Sequence, residues 1–256
     1  MPPHSPNSER PSQPVQRPSL RGTSIAAHFR LRRQSTMKFL ILSPVYSSLA
    51  DETASAIYEL VHQHDCGRLR LCGCSQLDIA RTELAHEALE QTATDWFLWV
   101  DADIVFRPQQ ALDLWQLASE LELELVGADY PTKRKGGARR TAVLAPGGQP
   151  HPRSPALMPA LRMGFGFVLL HRIAFRALEK KTPLAYVNSM QRPMRPYFAP
   201  IQMVTAGKPH LTYYSEDYAF CERARMAGVP LWCDTSIKLG HIGPYIYDEQ
   251  DLQTGD

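Results

Sequence analysis

The amino-acid sequence predicts an α/β protein: a single domain built on an open, twisted, mostly parallel sheet that is flanked by helices. Two observations lead to this prediction. From residue 37 onward, short apolar runs alternate with longer segments in which apolar residues recur every three to four positions, and the joints between them are short. The chain of 256 residues is 44% hydrophobic and 21% charged, which is typical of a globular protein with one sizeable domain.

The first half of this domain alternates between predicted strands and predicted helices. The strands are predicted at 38–43, 68–74, 95–100 and 124–128, and the helices at 51–63, 78–91 and 108–121. Because a crossover between parallel strands usually contains a helix, this alternation predicts parallel βαβ units. Ligands of such sheets bind at the carboxyl ends of the strands, so we expect the functional residues there.

The second half is less regular. Residues 130–162 and 182–214 are rich in proline, and both are predicted to be irregular. Between them we expect a strand at 164–171 and a short helix that ends near residue 181. A helix is predicted at 216–227, with Ser215 as its N-cap and Gly228 as its stop, and a strand at 231–234 leads to the segment around His241.

Residues 1–36 differ in composition from the rest of the chain. They hold six proline, six serine and six arginine residues, with one acidic residue. Such a segment buries too little apolar surface to offset its ordering entropy, so we predict a disordered basic tail and assign the domain to residues 37–256. That domain has 22 basic and 25 acidic residues, and this balance argues against a specific nucleic-acid partner.

The sequence also bears on location. It has no apolar run close to the roughly 20 residues that span a bilayer, and no apolar core of a secretory signal near its start. Five unevenly spaced cysteines point to reduced thiols. We therefore expect a cytoplasmic protein without a transmembrane segment. The basic residues 30–33 leave open a peripheral contact with the inner face of the membrane.

The strongest local motif is an Asp-x-Asp pair at the end of an apolar strand. Asp101 and Asp103 directly follow the predicted strand 95–100. Hard divalent cations bind carboxylate oxygens together with substrate phosphates, so this position favours a site for a metal-bridged nucleoside diphosphate. Capping of the following turn by the two carboxylates is the alternative.

Three further features could belong to the same site. Glu216 and Asp217 open a predicted helix, where they complement the helix dipole or where one of them serves as a general base. His241 is flanked by glycines and is either structural or a metal ligand. Arg81 lies near a helix start, where a cation opposes the helix dipole; either an anion such as Asp78, another carboxylate or a phosphate lies opposite it, or it is a solvated surface residue.

Several stretches, in their order along the chain, resemble GT-A glycosyltransferases of the family-two-like type. The resemblance covers about residues 37–243, and its matching stretches are 39–46, 79–89, 96–106, 126–133, 163–172, 214–225 and 238–243. It implies a GT-A, Rossmann-like fold. It also implies a metal-dependent transfer of a sugar from a nucleoside-diphosphate sugar to a hydroxyl of a glycan, a lipid-linked molecule or another acceptor, with inversion at the sugar carbon.

The resemblance implies roles for the donor side. Asp101, Ala102 and Asp103 would contact the donor, with the two carboxylates holding Mn²⁺ or Mg²⁺ against its diphosphate. His241 would be a third metal ligand or a contact to the diphosphate.

The resemblance also implies which residues contact the nucleotide and which residue is the catalytic base. Pro44 and Tyr46 would flank the nucleotide base, and Arg81 would lie near the nucleotide or orient a carboxylate. Asp217 would be the catalytic base, with Glu216 as its substitute. Where many relatives have Arg-Asn, this chain has Arg81-Thr82, which bears on how Arg81 contacts a nucleotide.

Two other functions fit parts of the pattern. A sugar nucleotidyltransferase also uses carboxylate-held metal on an α/β sheet, but it would normally need a glycine-rich loop after the first strand, where this chain has Ser43-Pro-Val-Tyr-Ser-Ser. A non-catalytic nucleotide-sugar-binding module is the second alternative, although Asp103 and Asp217 are both present.

Overall fold

A computed structural model describes residues 37–135 and 138–252 of the chain. The predicted tail at 1–36 lies outside the described residues. The helices within them are α1 Asp51–Gln63, α2 Leu77–Gln91, α3 Pro108–Leu121, α4 Arg172–Glu179 and α5 Glu216–Met226. The strands are β1 Leu40–Val45, β2 Gly67–Cys72, β3 Trp96–Val100, β4 Ile104–Val105, β5 Leu125–Ala128, β6 Val143–Leu144, β7 Leu157–Arg162, β8 Phe167–His171, β9 Ala185–Val187, β10 Arg192–Met194, β11 Ile201–Met203, β12 Thr212–Tyr214, β13 Trp232–Asp234, β14 Gly240–Ile242 and β15 Ile246–Tyr247.

The centre of the described part is a mixed eight-stranded sheet in the order β2-β1-β3-β8-β5-β13-β7-β6. Strands β2, β1 and β3 are parallel, and so are β5 and β13. Strand β8 runs antiparallel between β3 and β5, and β7 runs antiparallel to β13 and β6. The predicted α/β class with a mostly parallel sheet is therefore confirmed, with β7 and β8 as the strands that run against the others.

The sheet is covered on both faces by helices. Successive residues of its central strands alternate between two apolar clusters: Phe97 and Trp99 of β3 join the cluster that includes α2, α4 and α5, whereas Leu98 joins the one that includes α1 and α3. Because both faces are buried, the central strands are apolar at nearly every position.

The helices are the elements that the sequence predicts best. Both α1 and α3 have the predicted bounds, and Pro108 occupies the first turn of α3. Gly228 follows α5 with φ of +82°, which is the left-handed conformation that glycine adopts readily and that ends a helix. Ser215 is the N-cap residue of α5, as predicted, and its side chain makes no capping hydrogen bond.

The two segments predicted to be irregular contain strands. Residues 130–162 include β6 and β7, which extend the large sheet at one edge. Residues 182–214 form two antiparallel hairpins, β9–β10 and β11–β12. These strands are two to six residues long, and their apolar and polar residues alternate too briefly for the pattern to be recognised in the sequence.

A small three-stranded sheet brings a distant part of the chain to the end of β3. Strand β14 pairs with β4, which follows the Asp-x-Asp turn, so His241 lies opposite Ile104. The amide of Ile242 also donates to the carbonyl of Asp103 at 2.8 Å. The described residues form no helix long and apolar enough to cross a membrane.

Candidate active site

A cavity of about 560 Å³ opens at the carboxyl edge of the central sheet. The predicted site residues that line it are Pro44, Tyr46, Arg81, Asp101, Ala102, Asp103, Asp217 and His241. Glu216 is not among its lining residues. The structure thus brings all but one of the residues selected from the sequence to a single cavity, and their chemical roles stay predictions.

The reversed direction of β8 completes this edge. Because β8 is antiparallel to its neighbours, its first residue lies beside the last residue of β3, with Phe167 opposite Val100. The amide of Asp101 donates to the carbonyl of Gly166 at 3.1 Å. The turn that precedes β8 therefore lies against the Asp-x-Asp turn that follows β3.

The deeper cluster is centred on Arg81, which projects from α2 and is fully buried. Its Nη2 lies 3.1 Å from Oδ2 of Asp101 and 3.2 Å from Oδ1 of Asp217. Its Nη1 donates to the carbonyl of Phe165 at 3.4 Å. Burial alone would lower the pKa of Arg81, but the two carboxylates outweigh it and raise that pKa, so the guanidinium stays charged.

Asp217 lies in the first turn of α5, and its Oδ2 accepts from the amide of Phe165 at 3.1 Å. Burial raises the pKa of Asp217 to about 6. Arg81 and the Phe165 amide act against this rise, while Asp101 and Glu216 add to it. The result is a fixed carboxylate that changes its charge near neutral pH, which is what a general base requires.

The rim of the cavity holds a second cluster around Asp103. Oδ2 of Asp103 pairs with the ammonium of Lys133, and Oδ1 lies 3.5 Å from Nε2 of His241. Burial would raise the pKa of Asp103, but the hydrogen bonds from His241 and Lys133 outweigh it and lower that pKa. Asp103 is therefore an anion throughout the physiological range.

The predicted metal ligands are divided between these two clusters. Asp101 faces Arg81, whereas Asp103 and His241 lie together at the rim. Among the described residues no three His, Cys, Asp or Glu side chains already form a group that could hold a metal ion. A physical reason is that the buried Arg81 cation needs counter-charges, and Asp101 is one of the two that it finds.

The rim nevertheless has donor chemistry that suits a divalent ion. Nδ1 of His241 lies 3.0 Å from the carbonyl of Pro131 and Nε2 lies 3.5 Å from Oδ1 of Asp103, so both ring nitrogens face oxygens that accept hydrogen bonds. A divalent ion bound between His241 and Asp103 would replace the proton on Nε2, and Nδ1 would keep its proton for the Pro131 carbonyl. An imidazole held in this way by a carbonyl is typical of metal-binding histidines. Oδ1 of Asp101 is buried without a hydrogen-bond partner, so it too has an acceptor to offer.

The opposite rim is built from the turns after β1 and β2. Tyr46 is 69% exposed, and its ring stands at the cavity mouth next to the buried Pro44. Cys74, Ser75 and Leu77 line the same side. An exposed aromatic ring beside apolar walls can hold a flat heterocycle by stacking.

The sequence analysis assigned no role to Lys133 or Tyr130. The ring of Tyr130 is buried, its Oη accepts from the Gly166 amide at 3.0 Å, and a Cβ at Gly164 or Gly166 would lie within 2.7 Å of that Oη. The Tyr130 side chain therefore requires glycine at both positions. In the sequence, the Gly-x-Gly pattern at 164–166 was the signal that could have pointed to this close packing. Lys133 lay inside a long basic loop, so nothing distinguished it from its neighbours.

No protein-family model matches the chain, and no curated protein matches it. Among solved structures, the crystal structure of A197 from STIV is similar to this chain. The two have a TM-score of 0.53 and are 15% identical, and the match covers 86% of this chain and 96% of A197. At this identity the similarity concerns the α/β fold alone.

Replacement of Arg81 by methionine should destabilise the protein strongly. The substitution leaves Asp101 and Asp217 close together without their shared cation, and losing one partner of a buried ion pair costs about 3–5 kcal/mol. The pKa of Asp217 should rise further, because the attraction of Arg81 that lowers it is gone. The two carboxylates repel each other when both are ionised, so the loss in melting temperature should be larger at pH 8 than at pH 5.

The matched control for this prediction adds Asp217→Asn to the Arg81→Met variant. Removing one of the two charges should restore part of the melting temperature at pH 8. An equal loss at both pH values, with no restoration in the double variant, would contradict the assigned electrostatics.

Proposed function

We propose that the chain is a glycosyltransferase with a GT-A fold, which moves a sugar from a nucleoside-diphosphate sugar to an acceptor hydroxyl with inversion. The observation that carries the proposal is the cavity at the carboxyl edge of the sheet. An exposed aromatic ring, the Asp-x-Asp turn and the buried carboxylate of Asp217 all line it. The order of these elements along the chain supports the resemblance stated from the sequence.

The donor is assigned to the side of the cavity between Tyr46 and Asp103. Tyr46 and Pro44 would hold the nucleotide base, and the backbone at Ala102 would line the path to the diphosphate. Asp103 and His241 would hold Mn²⁺ or Mg²⁺, with Asp101 beside them. When bound, such an ion offsets the negative charge that develops on the departing nucleoside diphosphate.

The acceptor hydroxyl is assigned to the carboxylate of Asp217. In the transfer, the acceptor oxygen forms a bond to the anomeric carbon on the face opposite the leaving diphosphate. The bond from that carbon to the phosphate oxygen breaks, and its electron pair leaves with the nucleoside diphosphate. The hydroxyl proton passes to Asp217, which the Phe165 amide and Arg81 hold in position.

The two rival functions make different products. A sugar nucleotidyltransferase would release pyrophosphate, whereas a glycosyltransferase releases a free nucleoside diphosphate. A non-catalytic module would release neither. Measurement of both products with a panel of nucleotide sugars and Mn²⁺ separates the three functions.

The variant Asp217→Asn tests the proposed base. Turnover should fall roughly 10²–10⁴-fold while donor affinity is retained, because the amide cannot accept the proton. In the wild-type protein, turnover should rise with pH through an apparent pKa of about 6, since Asp217 acts only when deprotonated. Steady-state kinetics across pH 5–8 measure both effects.

Glu216→Gln is the matched control for Asp217→Asn, because Glu216 occupies the same helical turn but does not line the cavity. It should retain most of its turnover. Near-normal turnover in Asp217→Asn, or a product that keeps the anomeric configuration of the donor, would sink the assignment of an inverting base.

The variant Asp103→Ala tests the donor side. It should lose metal-dependent binding of UDP and GDP and keep its melting temperature. The loss of metal-dependent nucleotide affinity should exceed roughly 10–100-fold, which is the effect of removing a residue that only hydrogen-bonds to a metal ligand. Asp113→Ala, which removes an exposed carboxylate on α3, is the control. Unchanged Mn²⁺-dependent nucleotide affinity in Asp103→Ala would refute the proposed site.

The variant Lys133→Met tests how Lys133 affects this site. Its ammonium pairs with Asp103 and therefore competes with a divalent ion for that carboxylate. Removal of the charge should tighten binding of Mn²⁺ alone by up to about fivefold, since exposed ion pairs contribute about 0–1 kcal/mol. The signal of free Mn²⁺ in electron paramagnetic resonance measures this affinity. Lys133→Arg retains the charge and should bind Mn²⁺ like the wild type, and weaker binding by Lys133→Met would contradict the competition.

A further inference from the structure

The segment from 180 to 215 has an unusual charge. It contains no aspartate or glutamate, and it holds five lysine or arginine residues and one histidine: Lys180, Lys181, Arg192, Arg195, Lys208 and His210. The domain as a whole has more acidic than basic residues. Residues 130–162 are also basic without any acidic residue, but they supply Lys133 to the site, whereas 180–215 is a basic segment that the proposed mechanism does not use.

The second hairpin in this segment exposes a row of apolar side chains. In β11–β12, Gln202 lies opposite Tyr213. Because side chains alternate between the two faces of a strand, Val204 and Leu211 lie on the same face as that pair. Val204 is 83% exposed, Leu211 57% and Tyr213 62%, and the exposed Lys208 lies at the tip between the two strands.

The first hairpin has the same character. In β9–β10, Tyr186 lies opposite Pro193, both are exposed, and Leu184 shares their face. This hairpin is fixed to the domain, because the guanidinium of Arg192 lies 2.9 Å from the carboxylate of Glu83 on α2. The exposed face is thus a fixed feature of the fold.

The chemistry of these two faces selects one kind of partner. Exposed aromatic rings can stack on sugars or bases, but aliphatic side chains such as Val204 and Leu211 gain little there. Aliphatic and aromatic side chains gain free energy when they enter the boundary between lipid headgroups and acyl chains, and nearby lysines are attracted to anionic headgroups. Val204, Leu211 and Tyr213 lie on one exposed face of β11–β12 with Lys208 at its tip, and such a combination of apolar and basic side chains is typical of a membrane-binding surface.

We propose that the hairpin β11–β12 is a docking surface for an anionic lipid membrane, with Val204, Leu211 and Tyr213 entering the headgroup layer and Lys208 contacting lipid phosphates. Strand β12 is followed directly by Ser215, which lines the cavity, and then by Asp217. Docking would bring the cavity close to the membrane. Where the proposed function holds, this favours an acceptor hydroxyl that is carried by a lipid.

The test measures binding of the full-length chain to vesicles, without any activity assay. We expect the wild type to sediment with phosphatidylglycerol–phosphatidylcholine vesicles and much less with phosphatidylcholine alone. The double variant Leu211→Ser/Tyr213→Ser and the single variant Lys208→Glu should each reduce binding to the anionic vesicles by roughly tenfold. Every variant keeps the basic residues 1–36, so any lipid binding by these residues is the same in the variants as in the wild type.

The control is Tyr58→Ser/Ile173→Ser, which removes one exposed aromatic and one exposed aliphatic side chain from α1 and α4. It should bind vesicles like the wild type, and melting temperatures verify that every variant folds. The proposal is overturned if the wild type fails to bind anionic vesicles, if the Leu211/Tyr213 variant binds equally well, or if the control loses as much binding. These outcomes do not test the proposed sugar transfer, which is tested separately by the turnover of Asp217→Asn.

Discussion

The arrangement of the site depends on one buried cation. The guanidinium of Arg81 has no exposed surface, and its carbon lies 5.7 Å from the centre of the Phe165 ring and 6.0 Å from that of Trp99. A charge in such surroundings is costly unless it is paired, and its partners Asp101 and Asp217 come from the end of β3 and the start of α5. One ion-pair network therefore joins a helix, a strand end and a second helix that are far apart in the sequence, and it fixes the two carboxylates relative to the sheet.

This network also explains why the two carboxylates of the Asp-x-Asp motif lie in different clusters, although the sequence suggested that both would face one ion. Two carboxylates two residues apart at a strand end seemed able to turn toward one ion. The need of Arg81 for counter-charge holds Asp101 inside the cavity, and Asp103 is left at the rim with Lys133 and His241. The sequence left open whether Arg81 faces an anion or solvent, because its partners depend on contacts between residues 20 and 136 positions apart.

How much of the fold could be predicted follows from the length and periodicity of each element. Helices α1 and α3 carry 13 and 14 residues of regular spacing, so their bounds were predictable. The direction of β8 was not, because a strand buried on both faces has the same apolar pattern in either direction. The hairpins of 182–214 have strands of three residues, which is too short for a period. At the site, residue types selected side chains most of which the fold brings to one cavity, while their pairing required the three-dimensional structure.

The charges of the two clusters separate the substrates of the proposed reaction. The inner cluster of Arg81, Asp101 and Asp217 has one more negative than positive charge, so it repels a diphosphate but accepts the proton of a neutral hydroxyl. At the rim, Lys133 balances Asp103, and Arg140, which also lines the cavity, is paired with Asp129 and Glu249. In the proposed reaction the inner cluster would therefore repel a diphosphate more strongly than the rim does. When Asp217 takes up the acceptor proton, the inner charge becomes neutral, and this relieves the repulsion between the two carboxylates that share Arg81. The buried cation that fixes the geometry opposes this protonation, whereas burial and Asp101 raise the pKa of Asp217 and so its capacity to accept a proton.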